Sequence, residues 1–111
     1  MQRFILFLDL QEDPDLIKEY EKIHESIPEE IQKSILSSGI ETMNLFRFED
    51  RLCMEILAND SFSFAQKADM DANNPTVQVW ENLMSKYQKI IPGTPEGVKW
   101  VLAKNIFSLS K

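Results

Sequence analysis

Tyr20 and His24 stand four residues apart in a segment with helical spacing, and His24 is the one histidine of the sequence. An i,i+4 pair projects both side chains from the same side of a helix, so a phenol and an imidazole reach the same space. Histidine is the residue type whose ordinary titration range lies nearest neutrality, which suits it to general acid or base chemistry. The alternative is a histidine near a helix end, where the dipole favours its charged form, beside a tyrosine that packs in an amphipathic core. Trp80 has the same two readings: packing in a helical stripe, or a ring at a pocket wall suited to stack on a sugar face. Glu81 and Arg47 read first as solvated charges or as partners of one another.

Other familiar chemistry is mostly missing. Gly39, Gly93 and Gly97 form no phosphate-cradling pattern. One histidine and one cysteine, Cys53, are too few for an ordinary His or Cys metal site, and the carboxylates lack calcium-loop spacing. No nucleophile-elbow sequence is present, which argues against acyl transfer through serine. No metal or other cofactor is therefore expected. Acid/base work or ligand binding remains.

These residues need a scaffold, and the chain supplies one in alternating segments. Phe4 to Leu10 reads as a strand ended by the polar run Gln11-Glu12-Asp13-Pro14. A helix follows from Pro14-Asp15, with Leu16, Tyr20, Ile23 and Ile27 at helical spacing. Pro28 interrupts it, and a second helical segment runs from about Glu29 to Leu36, stopped by Ser37-Ser38-Gly39. Ile40 to Phe48 and Arg51 to Ala58 read as strands of a hairpin joined at Glu49-Asp50. A two-residue loop puts Met43, Leu45 and Arg47 on one face with Leu52, Met54 and Ile56.

A helical stretch is expected from Asp60-Ser61 to about Ala68. Asn74-Pro75 caps a longer helix whose apolar stripe is Val77, Trp80, Met84 and Tyr87. Pro92 to Gly97 is a loop, and Trp100 to Leu109 reads as a closing strand. The order βα, hairpin, αβ predicts an α+β fold with a ferredoxin-like antiparallel sheet of four strands and helices on one face. A second copy would cover the other face, giving a homodimer.

With 111 residues the expectation is one domain over 1–111, and apolar residues, 43% of the composition, suffice for a core. A formal charge of −6 argues against general affinity for nucleic acid or anionic membrane. No long apolar span or cleavage signal follows Met1-Gln2-Arg3, and Cys53, in an apolar strand-like run, cannot form an internal disulfide. Both features fit a soluble protein of the cytoplasm.

The strand followed by Asp13-Pro14, then Tyr20-Glu21-Lys22-Ile23-His24 and the Ile27–Ile31 segment, resembles the L-rhamnose mutarotase family. Ser38-Gly39, Asn73-Asn74-Pro75, Val77-Gln78-Val79-Trp80 and Ile106-Phe107-Ser108-Leu109 follow in the same order, so the resemblance covers nearly the whole chain. It implies a dimeric α/β barrel and a cofactor-free aldose 1-epimerase acting on a 6-deoxy sugar. Carried over residue by residue, it implies His24 as general acid, Tyr20 as a substrate contact and Trp80 as the first of a tryptophan pair.

Three positions depart from the pattern. Met43 stands where the rhamnose enzymes commonly have tyrosine, Glu81 replaces the second tryptophan, and Ile27-Pro28-Glu29 differs from Ile-Trp-Pro. Met43 and Glu81 would alter the hydrogen bonds offered to ring hydroxyls, so L-fucose stands beside L-rhamnose as substrate. The alternatives from other classes are a non-catalytic ligand-binding module on the same dimeric α/β scaffold and a cofactor-free monooxygenase.

Overall fold

The computed structural model describes residues 1–110; Lys111, the last residue of the expected domain, lies outside them. The chain runs β1 (Gln2–Leu10), α1 (Pro14–Ile23), α2 (Glu29–Ser37), β2 (Ile40–Phe48), β3 (Arg51–Ala58), α3 (Phe64–Ala72), α4 (Pro75–Ser85), β4 (Gln88–Lys89) and β5 (Val101–Leu102). All strand pairings are antiparallel, in the order β2-β3-β1-β4, with β5 also on β1. This is the expected α+β, ferredoxin-like arrangement.

The hairpin register is the one predicted from a two-residue loop: Met43 opposes Ile56, Leu45 opposes Met54 and Arg47 opposes Leu52. Glu49 takes the left-handed conformation at the turn, and Arg47 Nη1 donates to its carbonyl at 2.7 Å. Beside the turn, Arg51 grips the buried carboxylate of Asp9 with two hydrogen bonds, Nε at 2.8 Å and Nη2 at 3.1 Å, tying β3 to β1. Side chains alternate along strands, so Leu6, Leu8, Leu10, Leu52 and Ile56 share one face while Phe7, Phe46 and Cys53 share the other.

The helices pack over the leucine-rich face. Asp13 caps α1 by accepting from the N–H groups of Asp15 and Leu16, and Asn74 caps α4 by accepting from those of Thr76 and Val77. The apolar stripes then meet the sheet in two clusters. One joins Leu6, Ile40, Ile56, Ala58 and Phe62; the other joins Leu10, Tyr20, Leu52, Met84 and Tyr87, and Trp100 packs against both. Gly39 turns the chain from α2 into β2 at φ +104°, where a Cβ would stand 3.0 Å from the Asn59 side-chain oxygen.

Several boundaries differ from expectation, beginning with the first helix, which ends at Ile23, short of Ile27. The third helix begins at Phe64, not near Asp60: Asn59 Oδ1 accepts from Ser61, a turn buries Phe62, and Ser63 provides the cap. Tyr87 is buried against Tyr20 but lies beyond α4, and its neighbours Gln88 and Lys89 pair with Leu10 and Asp9. The closing strand is confined to Val101–Leu102. After Ala103 donates to the Ile5 carbonyl, residues 104–110 have no ladder partner among the described residues, so their strand propensity goes unused. The fourth strand position is thus shared between β4 and β5. Among the described residues, no helix is long and apolar enough to cross a membrane.

Candidate active site

Between the helices and the leucine-rich sheet face lies a cavity of about 350 Å³. Tyr20, His24, Met43, Trp80 and Glu81, the five residues singled out from the sequence, all border it. Tyr20 comes from the buried side of α1, His24 from the position that ends that helix, Met43 from β2, and Trp80 with Glu81 from α4. Leu6, Leu45, Met54, Ile56, Val77 and Met84 supply apolar walls.

His24 closes α1 with both its main chain and its ring. The backbone N–H reaches the Glu21 carbonyl at 3.1 Å, and Nδ1 lies 2.7 Å from the Tyr20 carbonyl oxygen. A carbonyl only accepts, so Nδ1 carries the proton and Nε2 is left as the nitrogen not engaged by the helix end. The imidazole lies 4.4 Å from the Tyr20 ring and 5.8 Å from the Trp80 ring, centre to centre. The helix-capping and proton-transfer readings of His24 are therefore compatible: the cap sets the tautomer.

The Tyr20 hydroxyl accepts a hydrogen bond from Gln88 Nε2 at 3.2 Å. Burial pushes this phenol up to about 12; the Gln88 hydrogen bond opposes the rise and the charge of Glu81 adds to it. Tyr20 thus stays protonated at neutral pH, and its hydroxyl keeps a proton that it can donate. Glu81 pairs with Lys99 at 3.1 Å and Arg47 pairs with Glu21, so the expected alternative of a Glu81–Arg47 pair is not realised. The two residues sit on separate elements, and each has a closer partner.

Four further cavity residues escaped the sequence reading. Trp100 brings a second indole from the segment before β5, and Gln88 brings a buried amide from β4. Lys67 and Asp71 form an ion pair of 2.6 Å along α3 at the cavity wall. Their i,i+4 spacing was the available signal, but ending that helix near Ala68 left Asp71 outside it. Gln88 had no signal, since a two-residue strand has too few residues to show a period.

The family model for L-rhamnose mutarotase matches residues 3–109. An L-fucose mutarotase of Xanthomonas campestris pv. campestris is 40% identical over 113 residues, an alignment that covers 100% of this chain and 90% of that protein. A UPF0734 protein of Dictyostelium discoideum is 35% identical over 92 residues, covering 80% of this chain and 72% of its own length.

Among solved structures, the L-rhamnose mutarotase of Formosa agariphila superposes with a TM-score of 0.72 at 15% identity, covering 99% of this chain and 100% of that one. Tetracenomycin F2 cyclase from Streptomyces glaucescens, a type-II polyketide cyclase, does so with a TM-score of 0.66 at 19% identity, covering 100% and 99%. At such identities these two likenesses speak for the fold. The family model, which matches almost the whole length, and the 40% identical relative identify this chain as a member of the L-rhamnose mutarotase family.

Proposed function

We propose that this protein is an aldose 1-epimerase that interconverts the α and β anomers of a 6-deoxyhexose, with L-fucose ahead of L-rhamnose. The observation that carries this reading is the convergence of His24, Tyr20 and Trp80 on one cavity in a chain of this family. The indoles of Trp80 and Trp100 offer flat walls to a pyranose, and the methionine and leucine walls accept its C6 methyl group. L-fucose ranks first because the relative from Xanthomonas bears that name and because Met43 offers no hydroxyl to a ring substituent.

The reaction is proton transfer around a ring opening. His24, protonated, donates from Nε2 to the ring oxygen while a base removes the proton of the anomeric hydroxyl. The bond between the anomeric carbon and the ring oxygen breaks to give the open aldehyde. Rotation about the adjoining carbon–carbon bond and closure on the other face, with the proton transfers reversed, give the other anomer. Glu81, at the cavity wall and held by Lys99, is a candidate for the base. Positioned acid and base groups accelerate such steps by typically ~10²–10⁴-fold. Magnetisation transfer between the anomeric protons of L-fucose and L-rhamnose tests the activity, and exchange no faster than in buffer would refute it.

The same reading makes the working form a homodimer. Phe46 and Phe48 on the face away from the helices are 56% and 78% exposed, and Phe46, Cys53 and Phe7 form a row across β2, β3 and β1. The tail carries Ile106, Phe107 and Leu109 at 77–88% exposure. A second copy supplies both a matching apolar face and a place for that tail. Cys53 as the only cysteine fits a cytoplasmic location.

A further inference from the structure

Gln88 is the most constrained polar residue of the cavity. Its main chain pairs with Leu10 in the β1–β4 ladder, and Gln11 Nε2 donates to its carbonyl at 3.1 Å. Opposite Leu10 in register, its side chain lies on the same sheet face as Leu6, Leu8 and Leu10, the face that borders the cavity. The residue is only 9% exposed. Nε2 is spent on the Tyr20 hydroxyl, while Oε1 is buried without a hydrogen-bond partner, alone in this among the side-chain atoms of the described residues. Turning the amide over would let Tyr20 donate to Oε1 and would leave Nε2 unpaired instead. In either setting one amide atom of this cavity-lining residue lacks a partner, which buried polar groups rarely tolerate.

We propose that Gln88 reads a ring hydroxyl of the bound sugar: its free amide atom completes a hydrogen bond with that hydroxyl while its other end holds Tyr20 in place. This rests on the mutarotase reading of the same cavity. A sugar hydroxyl both donates and accepts, so it satisfies either end of the amide. A sugar lacking that hydroxyl leaves the buried amide unpaired, and a site built in this way discriminates against it. Gln88 is thereby a specificity-determining residue.

The test is a protein–ligand cycle. The parent protein and Gln88→Met, which keeps the bulk and removes the amide, are each assayed with L-fucose and its 2-, 3- and 4-deoxy derivatives. Anomer exchange is read by NMR and binding by calorimetric titration. Gln88→Met is expected to lower kcat/KM and affinity about 3- to 10-fold on the full sugar. That factor should collapse toward one on the single deoxy sugar that lacks the hydroxyl it meets, with Tm nearly unchanged.

An equal loss on every sugar would confine Gln88 to supporting Tyr20 and overturn the proposal, as would no loss on any. Should Gln88→Met fail to fold, Gln88→Leu takes its place. A parent that binds these sugars without exchanging their anomers refutes the mutarotase reading, while the binding cycle still decides the role of Gln88. A parent that neither binds nor exchanges them overturns both.

Discussion

His24 Nδ1 donates to the main-chain oxygen of Tyr20, 2.7 Å away, while the two rings lie 4.4 Å apart. One residue thus fixes the tautomer of the other, and their rings pack side by side at the cavity. His24→Asn separates the two functions of this contact. The asparagine amide retains a donor for the helix end but cannot give and recover a proton. Anomer exchange should fall by ~10²-fold or more, with sugar affinity little changed and stability within about 1 kcal/mol of the parent. Parent-like exchange in a folded His24→Asn variant, measured by magnetisation transfer, would remove His24 from the mechanism.

Tyr20 yields a prediction in pH. Its phenol is pushed up to about 12 by burial, whereas an unfolded chain releases the same proton near pH 10. Below pH 10 both states hold the proton and stability does not depend on it. Between pH 10 and about 12 the unfolded state binds fewer protons, so stability falls as pH rises, by about 2–3 kcal/mol in all. Tyr20→Phe should lack this component, and the difference between the urea unfolding curves of parent and variant across that range isolates it from the lysines. In activity, Tyr20→Phe should cost less than His24→Asn, since in the proposed mechanism the hydroxyl orients substrate and the imidazole moves the proton.

Much of this arrangement is legible in the sequence wherever a local rule has one physical solution. Asn74-Pro75 starts a helix because the side-chain oxygen satisfies free N–H groups and proline has none to waste. The hairpin register follows from its loop length, and with it the placing of Met43 and Leu45 at the cavity. What was not legible depends on distant partners. Trp100 to Leu109 reads as a strand, yet a strand exists only where another backbone meets it, here at Val101–Leu102. Gln88 gained its position from Leu10 and Tyr20, 78 and 68 residues earlier, and no local pattern announces such a meeting. Glu81 likewise found Lys99, and Arg47 found Glu21, because tertiary packing chose among several possible surface pairs.

Met43 carries the specificity prediction. It borders the cavity from β2, opposite Ile56, and presents no hydroxyl at a position where the resemblance to the rhamnose enzymes implies a tyrosine. Met43→Tyr restores a donor at that wall. The ratio of kcat/KM for L-rhamnose over L-fucose should rise about 5- to 10-fold, the effect of one added neutral hydrogen bond in a shielded site. An unchanged ratio in a variant that still exchanges L-fucose would show that Met43 does not contribute to the choice of sugar.

The dimer prediction turns on Phe46. This ring lies at the outer edge of the row Phe46–Cys53–Phe7, on the sheet face that the helices leave uncovered, and 56% of it is exposed. A carboxylate placed there would be forced out of water wherever two such faces meet, at a cost well above the hydrophobic gain it replaces. Phe46→Asp changes no residue that borders the cavity. Light scattering at micromolar concentration should therefore show about twice the chain mass for the parent and a single chain mass for Phe46→Asp, with the variant still folded. A parent that scatters as a monomer while exchanging anomers would locate the whole activity within one chain and leave the apolar face without a second copy to cover it.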